Sequence, residues 1–145
     1  MARSFLDTSA LIKLYRAEPN SPAVLACVAP NDNLFIARIT PLEFRSAFFG
    51  LVRQRLLSLA DAQTVLLAFE SDLAQYISVA ADEAVFVRAQ TLLDTWSVSE
   101  GLRPLDALQL ASALEEHARL LMDALITTDT VLAHVARASG LIVKP

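Results

Sequence analysis

Short apolar runs alternate along this chain with longer stretches of helical periodicity, and few architectures accommodate that alternation. Arg3–Leu6, Leu34–Ala37, Tyr76–Val79, Ala124–Thr127 and Leu141–Val143 read as short strands. Helical patterns lie between them. The first, capped by Thr8 or Ser9, carries Leu11, Ile12, Leu14 and Tyr15; a second follows the Pro19-Asn20-Ser21-Pro22 turn through Ala29. A long helix opens at Thr40-Pro41, with Thr40 as cap, and reaches about Leu57; the next runs from Leu59 to Gln75. Three more span Asp82 to about Ser97, Pro104 to about Leu120, and Asp129 to Ser139. Strand followed by helix, repeated, predicts an α/β fold with a central, mostly parallel sheet flanked by helices.

The 145 residues suit one domain, 1–145, large enough to bury a core without disulfides or structural metal. Cys27, the only cysteine, has no partner for a disulfide or a thiolate metal site and reads as a small buried hydrophobe. Asp7 interrupts the first apolar stretch, and no apolar run approaches the ~20 residues of a membrane span. The expectation is a cytoplasmic protein with no membrane contact. Hydrophobic residues make up 54% of the chain, above the typical share of roughly 45–50%, which leaves apolar surface for a homodimer or a permanent partner. The net charge of -4 argues against electrostatic capture of nucleic acid by the chain as a whole. Any such site must be local, or take positive charge from bound metal.

Asp7 and Asp129 each follow a predicted strand and open a helix, so a parallel sheet places both on its carboxyl edge, where open α/β sheets bind ligands. Glu43 lies in the first turn after Pro41, and Asp106 in the first turn after Pro104. Taken singly, each acid is explained by the free N–H groups and dipole of a helix N-terminus. Their surroundings shift that judgement. Glu43 shares a face with Ser46, Ala47 and Gly50, which pack a core poorly but leave a groove open, while Phe44, Phe48, Leu51 and Val52 form the opposite, core face. Asp106 sits in Pro104-Leu105-Asp106-Ala107-Leu108-Gln109-Leu110-Ala111, where an acid is costly unless paired or metal-bound. Oxygen-only ligands suit Mg²⁺ and Mn²⁺. His117 and His134 read as solvated helix residues, and no nucleophile–histidine motif or P-loop occurs.

Phe5-Leu6-Asp7-Thr8-Ser9-Ala10-Leu11 resembles the opening motif of PIN domains, and Pro41-Leu42-Glu43 resembles their second acidic position. Leu105-Asp106-Ala107-Leu108-Gln109-Leu110-Ala111 is similar to the third, and Thr127-Thr128-Asp129 with Ser139-Gly140-Leu141 to the fourth acid and its closing helix and strand. Order and spacing match across nearly the whole chain, at the length of the VapC-type toxins of toxin–antitoxin pairs. The resemblance implies a PIN-like three-layer fold, Mg²⁺- or Mn²⁺-dependent cleavage of RNA, homodimerisation, and inhibition by a small antitoxin. It makes Asp7, Glu43, Asp106 and Asp129 the catalytic, metal-binding acids, with Thr8, Ser9, Thr127 and Thr128 as supporting hydroxyls. Thr8 and Thr128 serve equally well as plain helix caps. Lys13, Arg38 and Arg103 are the RNA-facing cations. By resemblance the antitoxin takes the helical pair from Pro41 to about Gln75, which is rich in Phe and Leu. Relatives often carry a further acid or amide shortly after the fourth aspartate, where this chain has Thr130 and Val131, so a second ion has fewer ligands.

The implied reaction is in-line attack on an RNA phosphodiester by metal-activated water. The main alternative is a catalytically silent PIN-like binding module, to which four intact acids are of no use. A metal-dependent phosphohydrolase with an aspartyl nucleophile is a weaker rival, because it needs a second acid where Ser9 stands. A phospho-receiver domain needs paired acids after the first strand, where Asp7 stands alone.

Overall fold

The computed structural model describes residues 1–145. Five strands are present: β1 (Arg3–Leu6), β2 (Asn33–Ala37), β3 (Tyr76–Val79), β4 (Ala124–Ile126) and β5 (Val143–Lys144). Seven helices connect them: α1 (Thr8–Tyr15), α2 (Ser21–Leu25), α3 (Thr40–Arg53), α4 (Leu59–Asp72), α5 (Glu83–Glu100), α6 (Pro104–Leu120) and α7 (Thr130–Ala138). The sheet order is β3-β2-β1-β4-β5, and every pairing is parallel.

Alternation of side chains along each strand divides the core into two layers. Phe5, Phe35, Ala37 and Leu125 face the helices α5, α6 and α7. Leu6, Ile36 and Ile126, their neighbours in sequence, face α1, α3 and α4. The second layer holds an aromatic cluster in which Phe44 stacks on Phe69 at 4.1 Å and meets Tyr15 edge-on at 5.3 Å. Buried on both faces, the central strands read as continuous apolar runs, as parallel sheets require.

Several sequence-based boundaries shift. The helix expected through Ala29 ends at Leu25, and the one expected to Leu57 ends at Arg53, where Arg55 adopts a positive φ of 59°. The last strand is Val143–Lys144 rather than Leu141–Val143, because Leu141 drops into the core after Gly140 and only Val143 and Lys144 pair with β4. Cys27 is half-buried, not a core residue. In the α3–α4 pair, Phe48, Leu66 and Phe69 are buried, while Phe49, Leu56, Leu59 and Leu67 remain exposed. No helix is long and apolar enough to cross a membrane.

α5 ends at Gly101, whose φ of 72° lies in the left-handed region and whose N–H closes the helix on the Ser97 carbonyl. Space is open around a Cβ there, so only backbone strain opposes a side chain. Gly101→Ala is expected to lower unfolding stability by about 1 kcal/mol, read from urea titration, with no change in fold.

Candidate active site

The chain leaves β1 for β2 and β3 on one side, then returns to place β4 and β5 on the other. The crevice between the carboxyl ends of β1 and β4 is therefore the switch point of the sheet, the usual ligand site of open α/β folds. Asp7 and Asp129 stand at its two lips. Asp7 caps α1, accepting the Ala10 N–H at 3.0 Å, and Asp129 caps α7, accepting the Leu132 N–H at 2.8 Å. The expected caps Thr8, Ser9 and Thr128 are thus displaced by the aspartates, whose carboxylates reach the N–H three residues on. The freed hydroxyls stitch the lips together. Ser9 donates to Asp7 at 2.8 Å and accepts from the N–H and hydroxyl of Thr128 at 3.0 and 3.1 Å, while Thr127 accepts the Asp129 N–H at 3.1 Å.

Glu43 arrives from α3, which fully buried Phe44 and Phe48 anchor to the sheet. Thr40 does not cap this helix; Ile39 occupies the cap position without a side-chain bond, and Thr40 accepts from Gln109 at 3.0 Å. Oε1 of Glu43 accepts from the Thr8 hydroxyl at 2.9 Å and from Nε2 of Gln109 at 2.6 Å. Asp106, in the first turn of α6, accepts from Nε of Arg103 at 3.0 Å, and the same guanidinium lies 3.8 Å from Asp129.

All four acids line one cavity of about 520 Å³, together with Thr8, Ser9, Gln109 and Arg103. No three of them are gathered as the ligand set of a single ion in this arrangement. Asp7 and Asp129 are held by helix N–H groups, Glu43 by Thr8 and Gln109, and Asp106 by Arg103, whose guanidinium also faces Asp129. Burial pushes Asp7 up to about 6, against the pull of the Ala10 N–H and the Ser9 hydroxyl, and nearby Asp129 raises it further. Burial also lifts Glu43 above the usual carboxylate range, opposed by Gln109 and Thr8 and reinforced by the charge of Asp106. The Asp106 carboxylate holds the Arg103 guanidinium above its ordinary value. A cavity lined by carboxylate and hydroxyl oxygens, two of whose carboxylates are raised by burial, suits a hard divalent cation by its chemistry.

Residues 4–138 match the family model of the PIN domain. The chain belongs to the PIN-domain family. No curated protein matches its sequence. Solved structures with the same fold include toxin–antitoxin proteins. VapBC-1 from nontypeable Haemophilus influenzae is 20% identical with a TM-score of 0.64, covering 97% of this chain and 95% of its own. FitAcB from Neisseria gonorrhoeae is 19% identical with a TM-score of 0.65, over 97% and 95%. VapC20 of Mycobacterium tuberculosis, a toxin that cleaves the sarcin–ricin loop, is 16% identical with a TM-score of 0.69, over 98% and 99%.

Of the cations expected to face RNA, only Arg103 lines the cavity of this PIN domain. Lys13 lies outside the cavity lining; its ammonium pairs with Glu18 at 2.9 Å, just past the end of α1, and its side chain is largely covered. Arg38 is exposed just past the carboxyl end of β2 and has no acidic partner within 4.0 Å. Neither histidine reaches the cavity. One polar lining residue carries no role expected from the sequence. Gln109 lies within the quoted motif, one helical turn after Asp106 and therefore on the same face. That spacing was the available signal. Its Oε1 is buried without a partner, at a cost of roughly 1–3 kcal/mol in a folded protein.

Proposed function

We propose that this chain is a divalent-metal-dependent endoribonuclease, the toxin of a type II toxin–antitoxin pair, in which Asp7, Glu43, Asp106 and Asp129 hold Mg²⁺, or Mn²⁺ in its place. The observation that carries the reading is the convergence of four acids, from four separated segments of a PIN domain, on one cavity at the switch point of the sheet. A divalent cation bound there supplies an activated water and stabilises negative charge on the scissile phosphate. The protein supplies placement. Asp7 and Asp129 are held by helix N-termini and the Ser9–Thr127–Thr128 hydroxyls, which fixes both lips of the crevice. Arg103 is the cavity's own cation, and its exposed guanidinium can exchange Asp106 for a phosphate oxygen of the substrate. Arg38 is a second phosphate contact further along the rim.

The exposed apolar side chains Phe49 on α3, Leu56 in the connection, and Leu59 and Leu67 on α4 are the surface assigned to the antitoxin, with a homodimer as the working assembly. The single chain of 145 residues is read as one domain acting in the cytoplasm.

Controlled production of the chain followed by mapping of cut sites in total RNA is the decisive test. Discrete new ends that appear with wild type and vanish with Asp129→Asn support the nuclease; an identical pattern from both removes the proposed site. A companion measurement concerns Asp106. Added Mg²⁺ should raise the melting temperature of wild type, and Asp106→Asn should lose at least about half of that rise. Equal rises at constant ionic strength leave Asp106 as no more than an acid in a helix's first turn.

A further inference from the structure

We propose that Gln109 is a positioning residue for Glu43: with the Thr8 hydroxyl it ties down Oε1 of that carboxylate and leaves Oε2 free to hold a divalent cation. The inference rests on the metal site proposed above and adds a residue to which no role has been given.

Gln109 is only 2% exposed and lies on the buried face of α6, among Ala107, Leu110, Ala111 and Leu114. An amide is the costly choice on such a face. A leucine or methionine fills comparable volume and leaves no orphaned acceptor, whereas Oε1 of Gln109 is buried without a partner. What the amide gains is on its other side. Nε2 lies 2.6 Å from Oε1 of Glu43, 2.8 Å from the Thr8 hydroxyl and 3.0 Å from the Thr40 hydroxyl. An ionised carboxylate only accepts, so the nitrogen of the amide must face Glu43. With two hydrogens, Nε2 gives one N–H to the Thr40 hydroxyl and shares the other between Oε1 of Glu43 and the Thr8 hydroxyl, which itself donates to that Oε1.

Both donors converge on one oxygen of Glu43, and the other has no protein partner. A carboxylate held this way cannot rotate freely, and it presents a single defined oxygen. The same amide connects three elements that carry acids: Thr8 follows Asp7 in α1, Thr40 and Glu43 belong to α3, and Gln109 stands one turn from Asp106 on α6. Outer partners that orient metal ligands typically govern affinity by about 10- to 100-fold.

The test is thermal melting of the full chain against Mn²⁺ concentration for wild type, Gln109→Met, Glu43→Gln and the double variant. Gln109→Met should melt within a few degrees of wild type without metal, and its Mn²⁺ midpoint should move up by about 10- to 100-fold. In the Glu43→Gln background the same substitution should move the midpoint no further, since its effect passes through that carboxylate. An unchanged midpoint in Gln109→Met, or an equal additional shift in the Glu43→Gln background, overturns the proposal. If Gln109→Met does not fold, Gln109→Asn keeps an amide but is one methylene too short to reach Glu43, and the same midpoint shift is expected. Loss of fold in both makes Gln109 part of the scaffold and also overturns the proposal. A wild type that does not respond to Mn²⁺ overturns the metal site itself; a responding wild type matched by Gln109→Met overturns only the role of Gln109.

Discussion

Asp7→Asn is expected to reduce RNA cleavage on the order of 10³-fold while making the metal-free protein more stable. The two effects have one origin. Asp7 is 4% exposed at the lip of the crevice, and burial is the main force that lifts its pKa to about 6. At neutral pH the fold therefore holds a charge it disfavours relative to the unfolded chain. Asparagine keeps a carbonyl oxygen where Oδ1 accepts the Ala10 N–H, so the cap of α1 survives. It removes the buried charge and, with it, a charged oxygen for a cation. A gain of about 1–3 kcal/mol in the metal-free state is expected, several degrees in melting temperature for a chain of this size. Such a trade of activity for stability marks a site built for function. Melting curves in EDTA and cleavage assays in Mg²⁺ read the two halves separately. A variant that melts lower than wild type and cleaves as well would falsify the assignment and leave Asp7 as a helix cap.

The strands, the long helices and the four acids were legible because each rests on a local signal. Period-two and helical patterns, proline in first turns and acids at junctions all act within a few residues. What the sequence hid depends on distance in three dimensions. Caps at Asp7 and Asp129 were assigned to the neighbouring hydroxyls because any of these residues can cap, and only the fold decides which side chain reaches the N–H. The ion pair of Lys13 with Glu18 depends on the turn the chain takes after α1, which no local pattern specifies. The spacing of Gln109 from Asp106 places it on the face of that acid, but its partners lie 66 to 101 positions away, so its contact with Glu43 was hidden. The four acids line a shared cavity, each bound to protein donors, Glu43 to donors brought in from other segments.

Metal-free protein is expected to lose stability as pH rises from about 4 to 6, the reverse of ordinary acid denaturation. The sign follows from Asp7. Its folded-state pKa of about 6 exceeds the ordinary 3.8, so through that interval the unfolded chain has released its proton while the folded one retains it. The unfolded state binds fewer protons, and unfolding stability falls with pH, by on the order of 3 kcal/mol for this residue alone. Glu43, also raised by burial, adds to the fall in the same direction. Glu18 and Asp32 act oppositely: against a burial that raises it, Lys13 and Arg16 hold Glu18 down, the Ala29 and Ala2 N–H groups hold Asp32 down, and these contributions are lost as pH falls through the acid range. Glu18 is partly exposed, and such a pair contributes little next to a buried carboxylate. A divalent cation should reverse the trend. It binds the ionised carboxylates, so its stabilising effect must grow as the protons leave, reaching about 2.7 kcal/mol at a hundredfold excess over its dissociation constant. Melting temperatures from pH 4 to 8, with EDTA and with Mn²⁺, should therefore diverge as pH rises. Asp7→Asn should flatten the metal-free slope and narrow the gap between the two curves. Parallel curves in wild type mean that Asp7 titrates apart from any metal; an unchanged slope in the variant means that another group carries the pH dependence and leaves Asp7 as a helix cap.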